Sequence, residues 1–417
     1  MFNQGDVLVI LDTTSTEKAR LMPSRILAGV SPKLRNLVDP SEHVTPEPPG
    51  SKTKVLLVLE TGNVTGVPSL VRRPLTYVPV TELPPTPRAA SNEKSVKSEV
   101  PREDEAPVGP VESDVDWAKA YDIFFRMVCK YSHGLSKRDF GVALPLLEGV
   151  AAVAQSLDAL SGVQEIIQSL FFLYIGKHNF WQTISKHPLR CLRLARALEN
   201  VTLYEEALKH LVGSSANHED SIPYPGLAEP LGEIIEAKAQ QLRCMRMKID
   251  MQLLCLTLPS KHSEGKAPVD MQQPVSWTAV NLYRDWMAEH ITSLRSESTT
   301  LAPSNLCQHH CGCTDTAGFY SLLATDGDDY RDSDKVLADW DTAKFPRKID
   351  STVRSVLLAL KRKAAELVAP LVESTLQLPD KHELQYLTRV RVGKGDMPWE
   401  LEAEGDADGD EDGEMSD

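Results

Sequence analysis

The sequence predicts an α+β fold in which short strands are confined to the first 60 residues and helices make up most of the remaining chain. Two apolar runs rich in Val, Ile and Leu, Gly5–Leu11 (GDVLVIL) and Lys54–Glu60 (KVLLVLE), read as buried strands: each is short and continuous. Glu82–Pro110 is rich in Pro, Ser, Glu and Lys and almost empty of large apolar side chains. Such a segment cannot bury enough surface to offset the entropy of ordering it, and it is expected to be disordered. From Trp117 onward the apolar residues recur every three or four positions, the period of an amphipathic helix.

Between the two main strands, Ala19–Met22 fits a further strand, and Ser24–Ala28 and Pro32–Val38 fit two short helices. Ser31 can cap the second helix, which puts Pro32 at its first position, where a missing N–H costs nothing. After the polar segment, Tyr121, Phe124, Phe125 and Val128 form one helical stripe. Leu146, Val150, Val153 and Leu157 form the next, and Val163, Ile166, Ile167, Leu170, Phe171 and Tyr174 a third. Leu189–Leu198 and Leu203–Leu211 continue the pattern; the latter opens on Thr202-Leu-Tyr-Glu205, with the spacing of a capping box, and is expected to stop at Gly213. In the long segment Leu231–Leu256, the residues Leu231, Ile235, Ala239, Leu242, Met245 and Ile249 make a helical stripe that is not a strict heptad. It is expected to pack within its own chain rather than in a coiled coil. Trp277–Leu294 and Ile349–Leu371 are further helices, with Ser296–Lys344 between them irregular.

Two separated pieces resemble the BTB/POZ family. In the first, Asp6 precedes an apolar strand, then come Ser24-Arg-Ile-Leu-Ala28 and Ser31-Pro-Lys-Leu34, similar to the family's opening of strand, S-x-φ-L and S-x-x-F. Leu34 stands where the family usually has Phe, and Pro23 where many animal members have His. In the second piece, Phe124–Tyr131 resembles the family's third helix and Phe140–Leu173 its closing helical hairpin. Further on, the chain is similar to a group of fungal BTB proteins of about this length, through Ser185-Lys-His-Pro-Leu-Arg190, Leu192–Leu198, Tyr204–Gly213, Tyr386-Leu-Thr388 and Asp396-Met-Pro-Trp399. The resemblance implies a BTB/POZ domain, a small sheet flanked by helices, in two parts: residues 1–79, then 117–175 after a disordered insertion at 80–116. An all-helical C-terminal region at 176–395 and a disordered acidic tail at 396–417 complete the expected layout. The insertion is the main departure from the family.

The function implied by the resemblance is protein–protein interaction without catalysis; no catalytic or cofactor-binding residue is expected. Some animal members are substrate adaptors for cullin-type ubiquitin ligases, using an apolar-x-Glu element that Leu37-Val-Asp-Pro-Ser-Glu-His-Val44 fits poorly. Many BTB dimers exchange an N-terminal strand, for which Gly5 leaves almost no room; the expected state is a monomer or weak homodimer.

Composition narrows the field further. A net charge of −14 argues against nucleic-acid binding, although ten carboxylates fall between Glu400 and Asp417 and the rest of the chain carries only −4. No apolar run approaches the roughly 20 residues that span a bilayer, and no signal peptide is evident at Met1–Asp6. Cys129, Cys191, Cys244 and Cys255 lie in helical patterns as small core residues, which suits a reducing, cytoplasmic or nuclear setting. Cys307, His309, His310, Cys311 and Cys313 are a dense set of zinc-type ligands and would serve an alternative function as a zinc-dependent binding module or transcriptional regulator. Their spacing lacks a second, distant ligand pair, so no bound metal or cofactor is expected there. Asp408–Gly413 opens like a calcium loop but lacks its twelfth-position Glu. No phosphate loop, nucleophile elbow or H-E-x-x-H motif is present. Lys361, Arg362 and Lys363, and likewise Arg243, Arg246 and Lys248, read as wet helix faces.

Overall fold

The computed structural model describes residues 5–12, 19–39, 53, 55–60, 66–73, 115–217, 224, 227, 229–258, 274–296, 316–325, 350–378 and 384–400. They are mostly helical and include one four-stranded mixed sheet, an α+β layout. The chain divides into two units, Met1–Phe180 and Trp181–Asp417.

In the first unit, strands β1 (Val7–Ile10), β2 (Ala19–Met22), β3 (Val55–Glu60) and β4 (Ser69–Arg73) stand in the order β2-β1-β3-β4. β1 lies antiparallel to β2 and parallel to β3, in register Val7 with Val55. The connection between these parallel strands carries helices α1 (Ser24–Val30) and α2 (Pro32–Val38). Ser31 caps α2 by accepting from the Leu34 amide, with Pro32 at the first position, as the local signals predict. α1 has no cap from its own N-cap residue, Pro23. Asp6 supplies one from 18 residues away: its carboxylate accepts from the Ser24 amide and hydroxyl, both at 2.7 Å. Gly5 permits this corner, since a Cβ there would lie 2.3 Å from the Met22 carbonyl carbon.

Helix α3 (Trp117–Val128), capped by Asp116, is tied to the sheet at two points. Tyr121 donates to the Pro68 carbonyl at 2.5 Å, and Asp122 joins Arg20 of β2 at 2.7 Å to Arg126 at 2.8 Å. Helices α4 (Phe140–Ser156) and α5 (Ser161–Ile175) come next. Phe140 gathers Phe171, Tyr174 and Phe180 around it, with ring centroids 6.1, 5.4 and 4.7 Å away. The division between units falls inside α6 (His178–Lys186).

The second unit contains α7 (Pro188–Leu198), α8 (Val201–Ala216), α9 (Glu229–Leu254), α10 (Pro274–Ser296), α11 (Thr316–Ala324) and α12 (Asp350–Val372). α9 packs against α8, α10 and α12. Residues 373–378 and 384–400 form an irregular strap along α8 and α9.

Several local expectations are corrected. α8 is capped by Asn200, whose side chain accepts from the Leu203 amide, not by a box at Thr202. It runs through Gly213 to Ala216. The stretch 296–344, expected to be irregular, contains α11. Lys361 is buried, 1% exposed, rather than part of a wet face. Cys244 and Cys255 are exposed; of the four cysteines described, Cys191 alone is buried. The tail expected to be disordered from 396 is ordered as far as Glu400. The insertion at 80–116, apart from its last two residues, and the tail beyond 400 lie outside the described residues.

Candidate interaction surfaces

α5 buries Val163, Ile167, Leu170, Phe171 and Tyr174. The run Leu170-Phe-Phe-Leu173 is four large apolar residues long, and successive helical positions turn by about 100°. One helix face cannot hold all four, and the structure leaves Phe172 78% and Leu173 56% exposed. Two adjacent large side chains kept in water forgo roughly 1.5–3 kcal/mol each of burial, which makes the pair a candidate contact patch.

A second surface lies on the outer side of α9. Its inner side buries Leu231, Ile235, Ala239, Leu242, Ile249 and Leu253. Met245, expected in that stripe, is 37% exposed, because the seam passes from Leu242 directly to Ile249 and Asp250. Outside, Cys244, Met247, Lys248, Met251, Gln252 and Cys255 line an open groove of about 580 Å³. Arg243 does not belong to this wet side: it is mostly buried and pairs with Glu236.

Among the described residues, Glu206, Lys209 and His210 are buried together on α8 and are spent on the strap. Glu206, 1% exposed, accepts from the Gln377 and Leu378 amides at 2.9 and 3.3 Å. Lys209 donates to the Thr375 carbonyl at 3.2 Å, Asn217 to that of Gln385 at 3.2 Å, and Tyr204 to that of Asp396 at 2.7 Å. Lys238 of α9 adds the Arg391 carbonyl at 2.7 Å and the Asp396 carboxylate at 2.8 Å. Trp399 closes the strap edge-on against Tyr204, 5.1 Å between centroids. Burial raises the pKa of Tyr386, helped by the Glu206 carboxylate, and pushes that of Tyr224 up to about 12. These groups hold backbone.

His210 is the one member with spare capacity. Its Nδ1 shares a 2.8 Å hydrogen bond with the Tyr386 hydroxyl, while Nε2 is buried without a partner. Protonating the ring would bury a cation with an unsatisfied N–H, and burial holds its pKa down at about 3, with the Lys209 charge adding to the effect. The unfolded chain takes up a proton near pH 6.5 that the folded chain refuses. His210 therefore contributes stability that is fully present above that pH and is lost progressively as pH falls towards 3. We expect a loss of about 2 kcal/mol at pH 5 relative to neutral pH from this residue alone. Urea unfolding at both pH values checks this: His210→Asn keeps a hydrogen-bonding atom near the Nδ1 position and should show a shallower pH dependence than the parent. Identical slopes would remove His210 as the cause.

The zinc-type candidates Cys307, His309, His310, Cys311 and Cys313, and the acidic loop at 408–413, lie outside the described residues. Among the described residues, no cluster of three or more His, Cys, Asp or Glu could hold a metal ion, and no helix is long and apolar enough to cross a membrane. The outer side of α9 was not singled out from sequence, and Ser169–Ile175, the richest short apolar stretch, reads there as part of a buried helix although Phe172 and Leu173 are exposed. The four-residue run at Leu170 carried a usable signal, and so did Met247, Met251 and Cys255, spaced by four. Compared with family models, curated proteins and solved structures, the chain matches none.

Proposed function

We propose that the chain is a non-enzymatic protein–protein interaction protein whose N-terminal unit is a BTB/POZ domain. The observation that carries this reading is the order of elements in that unit. A strand pair, a helix pair, a returning strand, a third helix and a helical hairpin succeed one another as the resemblance implies. The bond between Asp6 and Ser24 gives two residues of the resembling motif a shared physical role. Phe172 and Leu173, on the second helix of the hairpin, supply an apolar contact for a protein partner. Free thiols at Cys129, Cys191, Cys244 and Cys255 support a cytoplasmic or nuclear setting.

The test compares tagged full-length protein with a Phe172→Asp, Leu173→Asp double variant, captured from native cells and read by quantitative mass spectrometry. Placing carboxylates at an interface anchor should weaken a partner by about tenfold or more. The expected result is a defined set of proteins held by the parent and lost by the variant at equal expression and equal thermal stability. Capture of the same set by both would discard this surface. An experimental structure with β1 and β3 in different sheets would discard the BTB reading itself.

A further inference from the structure

We propose that the outer side of α9 binds a second copy of this chain, the two helices running antiparallel about a two-fold axis between Gln240 and Gln241. This goes beyond the BTB reading and rests on none of it. The exposed residues on that side include Glu233, Ala237, Gln240, Gln241, Cys244 and Lys248. At 3.6 residues per turn they form a single stripe, opposite the one that α8, α10 and α12 cover.

The stripe is symmetric about its middle. Glu233 lies as many positions before the Gln240–Gln241 step as Lys248 lies after it, and Ala237 as many before as Cys244 after. A two-fold contact sets residue i against j and j against i. An antiparallel pair in this register therefore forms the ion pair between Glu233 and the partner's Lys248 twice. It also sets Ala237 against the partner's Cys244, small side chain on small side chain, which lets the two helix axes approach. At the axis Gln240 is set against the partner's Gln241; the Gln240 amide already accepts from Arg243 at 2.9 Å and reaches Cys244 Sγ at 3.7 Å in its own helix, and its remaining donor and acceptor capacity can meet the Gln241 amide.

Charge selects this arrangement over its alternatives. Glu233 and Lys248 are the only charged residues among the described exposed positions of α9, and among the described residues neither has an ion pair in its own chain. A parallel pair would set each against its own copy, like charge on like. A register centred further along, on the Met247–Met251 stretch, would leave both Glu233 side chains unmatched. The exposed methionines extend the contact at its ends: Met251 is 56% exposed and falls opposite the partner's Pro230. A contact made by one helix pair is small, and each copy carries −14, so the dimer is of the weak, concentration-dependent kind.

Sedimentation velocity on the full-length protein, from low to high micromolar concentration, should show a monomer–dimer equilibrium. E233K and K248E should each raise the dissociation constant roughly tenfold, by turning two attractions into two repulsions. The double variant E233K/K248E restores opposite charges and should return it to the parent value. Both positions are exposed, so circular dichroism should be unchanged. In parallel, Ala237→Cys treated with oxidised glutathione should give a covalent dimer. Two thiols lose two protons and two electrons to the glutathione disulfide, which leaves as two reduced glutathiones. Peptide mapping should place the new bond between the introduced thiol and the partner's Cys244, because within one helix the two positions are seven residues, about 10 Å, apart. A monomer at every concentration would overturn the proposal. So would a dimer indifferent to both single variants, a double variant that fails to restore it, or a cross-link to any other cysteine.

Discussion

Gly213→Ala is expected to destabilise the second unit by about 2–3 kcal/mol, although alanine is the better helix former. In an exposed helix this change gains about 1 kcal/mol. Gly213 is not exposed: the strap crosses directly over it. A Cβ built there would lie 2.4 Å from the Leu387 carbonyl oxygen and 2.6 Å from the Tyr386 ring. The first of these neighbours is backbone and cannot rotate away. The strap must lift, which stretches the bond between Tyr386 and His210 and the one from Asn217 to the Gln385 carbonyl. Urea unfolding followed by circular dichroism measures the net effect. Unchanged or increased stability would mean that the strap does not lie against α8.

Glu206→Ala should cost more, about 4 kcal/mol. The carboxylate oxygen that accepts from the Gln377 and Leu378 amides would be gone, and two amides in a water-poor site would lack an acceptor. Hydrogen bonds to an ionised group contribute roughly 1.5–3 kcal/mol each, and leaving their donors unsatisfied carries the full desolvation cost. Glu206→Gln keeps one oxygen at the same reach and should recover at least half of the loss. The two variants are compared by equilibrium unfolding and by hydrogen exchange at the strap amides, which should quicken most in the alanine variant. Equal protection in parent and alanine variant would deny Glu206 this role.

Where the sequence was legible, a local cause was sufficient. Gly5–Leu11 and Lys54–Glu60 became β1 and β3 because each is a short apolar run rich in Val, Ile and Leu, too short for a buried helix and suited to a mostly buried strand. Ser31 and Pro32 begin α2 because capping involves neighbours only. Where it misled, the deciding partner was distant. Ser69–Arg73 has too few apolar residues to read as a strand and is one because β3 offers it a ladder. Gly213 looks like a helix stop, yet its absent side chain serves a segment more than 170 residues later. Lys361 reads as part of a wet face and is buried, and nothing local marks Glu206, Lys209 and His210 as the buried groups they are. The candidate surfaces were only half legible for the same reason. Periodicity identifies two faces of a helix but not which residues of an over-apolar run, such as Leu170–Leu173, the fold will leave outside.

The strap also sets a schedule for biosynthesis. α8 emerges from the ribosome before its strap partners exist, because Glu206, Lys209, His210 and Tyr204 wait for residues 171, 166, 176 and 192 positions downstream. At about 5–20 residues per second, that interval is on the order of 10–40 seconds. During it, α7, α8 and α9 can collapse through their apolar seams, but the second unit cannot reach its final stability. A nascent chain stalled before residue 373 would present an open, polar-lined trough where the finished molecule presents a closed surface. Chaperones that survey new chains would meet this unit as a slow, late-closing client.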